Sequence, residues 1–201
     1  ISLFFDKYFD IFKGLESAVN DFLDGKSSEN EPSPSDIALK KYNLINEGKK
    51  IDIILLYGDE LHEIGNWMKQ LYAESLGKNG FGYLPVISQM TQDQHSVLQL
   101  YLDGPEDKFF EFYSANYQDN NNFIDLTLMN HKEAMLQTLK SEKIPIVRAS
   151  NYFVDNKESI GYQLGYFFTG SILETLVLAR LGNVDPFGQD AVEKQKKYLK
   201  Y

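Results

Sequence analysis

The chain reads as an α/β domain, a mostly parallel sheet with helices on both faces. Three observations predict this. Short β-branched and aromatic runs occur at 50–57, 83–88, 108–114 and 144–149. Apolar positions at three- and four-residue spacing fill the intervals between them. Strands that alternate with helices in this way lie side by side in parallel. The length, 201 residues, suits one ordinary domain with a core that needs no staples.

In chain order, Ile1 to Leu23 predicts one or two helices ending at Gly25. Its opening is very aromatic, with Phe4, Phe5, Tyr8, Phe9 and Phe12. Because it starts inside an apolar helical pattern and not at a cap, we expect a C-terminal piece of a longer protein. The aromatic surface is expected to pack on something, a partner chain included. Residues 26–36 form a polar loop with Pro32 and Pro34, after which Ser35 or Asp36 can cap a helix from Ile37 to about Asn46. Lys50 to Tyr57 is an apolar, β-branched run typical of a buried parallel strand. Gly58-Asp59 turns into a helix that starts near Glu60 and stops at Gly77. Tyr83 to Ser88 is the next strand, short or interrupted because Pro85 cannot donate to a ladder. A helix from Gln92 to Asp103 ends at Gly104-Pro105, and Lys108 to Ser114 is a third strand. A polar loop spans Gln118 to Asn122, and a helix Asn130 to Glu142. Ile144 to Ala149 is the fourth strand. A long apolar helix runs from Ser159 to Leu181, and a charged one from Gly188 to Lys200. This divides the chain into a helical lead-in (1–46), an α/β core (47–184) and a terminal helix (185–201).

Composition narrows the function. The net charge of −9 and pI near 4.8 leave no basic stripe for nucleic acid or an anionic membrane. A phosphorylated ligand would have to be held by a few placed groups. The chain has no cysteine and only three scattered histidines, so disulfides and a metal site are not expected. The absence of cysteine fits a reducing, cytoplasmic setting. No run approaches a membrane span, and the first residues lack a signal pattern.

Three places draw chemical interest. In the helix ending at Gly77, Leu61, Ile64, Met68, Leu71, Tyr72 and Ser75 form the inward stripe. Glu74 falls on its flank beside Trp67 and one turn after Gln70. A carboxylate in a last helical turn opposes the helix dipole, and partial desolvation beside Trp67 would add to that, making it a stronger base. The bland alternative is an ion pair with Lys78 at i,i+4. Thr91 and Gln94 fit a capping box, which puts His95 in a first helical turn where the dipole disfavours the imidazolium. The alternative is a surface histidine, as we read His62 and His131. Gln189 and Lys196, seven residues apart, project from one side of the terminal helix. On charge alone the lysines there are a solvated tail.

Tyr72-Ala73-Glu74-Ser75-Leu76-Gly77-Lys78 resembles the catalytic-glutamate segment of the glucose-6-phosphate isomerases. The run Gln92-Asp93-Gln94-His95 through Asp103-Gly104-Pro105 resembles their histidine segment. Pro186-Phe187-Gly188-Gln189 through Lys196 resembles their C-terminal signature, with Gly188 and Ala191 departing from it. The three occur in the family's order, and the match runs from about Leu55 to the chain's end. The resemblance implies the second of two sugar-isomerase (SIS) domains, a flavodoxin-like three-layer sandwich. It implies Glu74 as the base that moves a proton between C1 and C2 of an open-chain hexose 6-phosphate. His95 and Lys196 would help open the ring, and Gln70 and Gln189 would contact substrate. It further implies a homodimer in which the histidine enters the neighbouring subunit's site, a first SIS domain that grips the phosphate, and no cofactor or metal. The chain alone is then expected to be nearly inactive. The alternative is a non-catalytic SIS module that binds a phosphosugar or mediates assembly.

Overall fold

A computed structural model describes residues 2–27, 32–115, 123–152 and 159–198. Four strands, β1 (Ile51–Tyr57), β2 (Leu84–Met90), β3 (Lys108–Ala115) and β4 (Ile146–Tyr152), form one parallel sheet in the order β2-β1-β3-β4. Each lies within three residues of its predicted bounds. Pro85 sits on an edge strand paired only with β1, which is why its missing N–H does not interrupt the strand.

Side chains alternate across β1. Ile54 and Leu56 face a layer built from α2 (Pro34–Asn46), α3 (His62–Leu76) and α7 (Ile160–Leu181), where Ala38, Ile45, Met68, Tyr72 and Leu178 are buried. Ile53 and Leu55 face the other layer, where Phe110, Phe112, Met135 and Leu139 pack with α5 (Leu98–Asp103) and α6 (Phe123–Ser141). This is the three-layer α/β architecture expected. The inward stripe of α3 is Gly65, Met68, Tyr72 and Leu76, with Leu61 in the 3-10 turn before it. Ile64, Leu71 and Ser75 are only half-buried. A Cβ on Gly65 would meet Leu56 Cδ1 at 2.7 Å, so glycine lets this helix sit close on β1.

Helix boundaries differ from expectation in four places. α2 begins at Pro34 because Ser33, not Ser35 or Asp36, is the N-cap; its hydroxyl accepts from Asp36 N–H in a capping box, and Pro34 occupies the first turn. α6 begins at Phe123, seven residues earlier than its apolar period suggested. The helix expected from Gln92 to Asp103 is two, α4 (Gln92–Ser96) and α5, broken at Val97. α8 covers Asp190–Lys196, so Gln189 precedes it and does not share its face with Lys196. The expected loop at 118–122 lies outside the described residues.

α1 (Ser2–Leu23) is one helix lying along α7. A Cβ on Gly14 would meet Tyr162 O at 2.0 Å, and one on Gly165 would meet Ile11 O at 2.1 Å. Phe9 and Phe12 remain largely exposed beside that seam. α7 is long and apolar enough to cross a membrane by length and composition, contrary to the reading that no run approaches a span. Its packing on α1, α2 and α3 and a buried, ion-paired Glu174 place it in the core of this fold.

The core also holds a cluster of five charged side chains that sequence reading passed over. Lys41 of α2, Asp52 of β1, Glu111 of β3, Arg148 of β4 and Glu174 of α7 are all buried. Lys41 Nζ contacts Glu111, lies 2.8 Å from Glu174 Oε1 and 3.4 Å from Asp52 Oδ2. Arg148 Nε is 2.5 Å from Glu111 Oε2, and its Nη2 pairs with Glu174. The Tyr113 hydroxyl donates to Glu111 at 2.8 Å. Burial alone would raise the Glu111 carboxyl, but Arg148 and Lys41 outweigh it and bring it down to about 2.

Candidate active site

Glu74 stands three residues before the C-cap Gly77 of α3. Because α3 returns from the carboxyl end of β1 to the amino end of β2, Glu74 lies at the amino edge of the sheet. Both of its oxygens are held. Gln70 Nε2 donates to Oε1 at 3.0 Å, and Gln189 Nε2 donates to Oε2 at 2.5 Å. Gln70 comes from the preceding turn of the same helix and Gln189 from 115 residues away. Two amides on opposite oxygens fix the carboxylate plane.

The support behind Gln189 is local. Lys78 does not pair with Glu74; its ammonium donates to the Asp185 carbonyl at 2.5 Å. Asp185 Oδ1 in turn accepts from Phe187 N–H at 2.9 Å. This ties the exit of α3 to the 185–187 segment and delivers Gln189 to the acid. Trp67 is occupied elsewhere, its ring 4.5 Å from that of Phe168. Glu74 is exposed on this chain, so the partial desolvation expected beside Trp67 is not found.

His95 and Lys196 stand apart from this group. Thr91 makes no side-chain cap, so the predicted capping box does not form. Asp93 instead turns back to accept from the Ser88 hydroxyl and the Gln89 N–H, both at 3.0 Å, tying down the end of β2. α4 is thus a five-residue helix with His95 near its end, and the dipole argument for a neutral ring does not apply. His95 is exposed and follows the carboxyl end of β2, whereas Glu74 sits at the amino edge. The seven-residue strands between separate them by roughly 20 Å at ~3.3 Å per residue. Within one chain they cannot meet. Lys196 is exposed and pairs with Glu193 at 2.6 Å.

Parallel sheets usually collect ligands at the carboxyl ends of their strands, and that was the expectation. A hollow of about 450 Å³ does open there, lined by Asp59, Glu60, His62, Glu63 and Gln89. Its acidic walls disfavour a phosphate, and it contains none of the predicted residues. Among the described residues no three acidic or histidine side chains are placed to hold a metal ion.

No family model matches the chain. It is 33% identical over 162 residues to a probable glucose-6-phosphate isomerase of Methanococcus maripaludis, covering 77% of this chain and 37% of the relative. It is 28% identical over 197 residues to the glucose-6-phosphate isomerase of Methanocaldococcus jannaschii, covering 89% and 49%. The crystal structure of a glucose-6-phosphate isomerase from Chlamydia trachomatis superposes with a TM-score of 0.73 at 14% identity, over 96% of this chain and 42% of that one. The chain spans about half the length, or less, of the curated relatives it matches.

Proposed function

This chain is a relative of the glucose-6-phosphate isomerases over most of its length, and we propose that the protein it forms part of interconverts glucose 6-phosphate and fructose 6-phosphate. The chain corresponds to the second SIS domain of such an enzyme. The observation that carries this reading is the Glu74 carboxylate gripped on both oxygens by Gln70 and Gln189. Glu74 and Gln189 lie in two of the segments whose resemblance points to isomerase chemistry, and Gln70 stands two residues before the first of them. A binding module has no need to orient a base in this way.

In this mechanism Glu74 removes the proton from C2 of the open-chain aldose, and the electron pair moves into a cis-enediolate. The O2 hydroxyl proton passes to O1 within the cis-enediolate, and Glu74 returns the carbon-bound proton to C1, giving the ketose with every atom and electron accounted for. Gln70 and Gln189 hold the carboxylate in plane and contact the sugar. Lys196 releases Glu193 and, with His95, opens the pyranose ring before the transfer. The exposure of Glu74 fits a site whose far wall, with the phosphate grip, belongs to a first SIS domain. The separation of His95 from Glu74 supports a homodimer in which each subunit lends its histidine to the other.

The test is exchange of the substrate C2 hydrogen with solvent, in the full-length enzyme. Glu74→Gln keeps the shape and one of the two accepting oxygens but removes the base. Exchange and turnover should fall together by about 10²- to 10⁴-fold, the usual range for a general base. Exchange that persists in Glu74→Gln would remove Glu74 from the mechanism, and a parent protein that shows no exchange would leave the phosphosugar-binding module as the better reading.

A further inference from the structure

We propose that the buried charge cluster carries a bound proton at neutral pH, held on Asp52. The inference is independent of the isomerase reading and rests first on counting. Asp52, Glu111 and Glu174 bring three carboxyls into a space sealed from water, and Lys41 and Arg148 bring two cations. Fully ionised, the group would keep one uncompensated negative charge in the core, which is far costlier than taking up a proton.

Geometry identifies the carboxyl that takes it. Glu111 is contacted by both Lys41 and Arg148, and so is Glu174. Asp52 has Lys41 alone, at 3.4 Å. Neither Asp52 oxygen has a hydrogen-bonding partner, whereas Glu111 also accepts from the Tyr113 hydroxyl at 2.8 Å.

Every element packed on the cluster agrees with this assignment. From α2 comes Lys41, from α3 the Tyr72 ring over Lys41 Nζ at 4.2 Å, and from the segment before β2 the Tyr83 hydroxyl, 3.3 Å from Lys41 Nζ. From β3 come Glu111 and Tyr113, from β4 Arg148 and from α7 Glu174. Only two of these groups are cations, and both are engaged by the other two acids. Burial, followed by the Glu111 charge, also pushes the Asp52 carboxyl well above the ordinary carboxylate range. The cluster then holds two positive and two negative charges. It lies beneath the last turns of α3, with Tyr72 two residues from Glu74.

The sign of the linkage follows. A carboxyl whose folded pKa lies above its unfolded value stabilises the fold fully at pH below the unfolded value, and that contribution is lost as pH rises toward the folded one. Relative to Asp52→Asn, which cannot titrate, the parent's folded-to-unfolded ratio should fall about tenfold per pH unit between roughly pH 5 and 7. Urea unfolding of both proteins across that window gives the comparison. Infrared spectra at pH 7 supply the second readout. The parent should show the carbonyl stretch of a protonated acid, shifted by carbon-13 aspartate labelling and missing in Asp52→Asn. If Asp52→Asn does not fold, the labelled band in the parent and its loss on unfolding decide. Parallel pH dependences in the two proteins, or no labelled acid band at pH 7, would overturn the proposal.

Discussion

Glu74 illustrates how little of a site's geometry is carried by one residue. Its helix and its turn follow from the apolar period of 61–76 and the stop at Gly77, and both were legible in the sequence. Its fixation was not, because the second amide comes from Gln189, outside any helix and positioned through Lys78 and Asp185. No local pattern announces a lysine that reaches a carbonyl 107 residues away. The geometry makes a specific prediction for Gln189→Ala. Losing one hydrogen bond to a charged group, worth about 1.5–3 kcal/mol, should lower kcat/KM roughly 10- to 100-fold. Since the carboxylate itself remains, steady-state kinetics should register the loss in kcat, with C2 exchange slowed in proportion. An unchanged kcat with a raised KM would make Gln189 a binding residue only. The buried charges were missed for a related reason. Asp52, Glu111 and Glu174 each interrupt an otherwise apolar run, in Ile51-Asp52-Ile53, Phe110-Glu111-Phe112 and Leu173-Glu174-Thr175. That interruption is a usable signal, but what pairs them is strand order and the packing of α2 and α7.

At the scale of elements, the strands were the most legible part, because β-branched and aromatic runs bounded by turn residues have few competing structures. Helix ends were less so. Ser33 wins over Ser35 as a cap because Pro34 suits a first helical turn and Asp36 completes a capping box. The predicted cap at Thr91 loses because Asp93 spends its carboxylate on the end of β2. α1 owes its place to a glycine at each side of its crossing with α7. Replacing Gly165 with alanine drives a methyl group into the Ile11 carbonyl, now only 2.1 Å from the position a Cβ would take. Overpacking of this kind costs about 1–3 kcal/mol. Amide hydrogen exchange should show α1 losing protection in Gly165→Ala while β1 and β3 keep theirs. Equal loss everywhere would mean that α1 is integral to the core and does not open on its own.

For the whole molecule, the decisive fact is that Glu74 and His95 occupy opposite edges of one sheet. Under the proposed mechanism a single copy lacks one of the two groups at either edge, and a pair of copies would bring both together. The sequence alone located the two residues, yet only the strand directions reveal that they cannot serve one site from one chain. The most direct measurement is complementation in the full-length enzyme, co-expressing Glu74→Gln with His95→Asn, each nearly inactive alone. If each site takes its acid from one subunit and its imidazole from the other, a mixed dimer contains one complete site. Half of randomly formed dimers are mixed, so roughly a quarter of parental activity should return. Mixtures as inactive as the two variants separately would contradict the shared site, and with it the roles assigned here to Glu74 and His95.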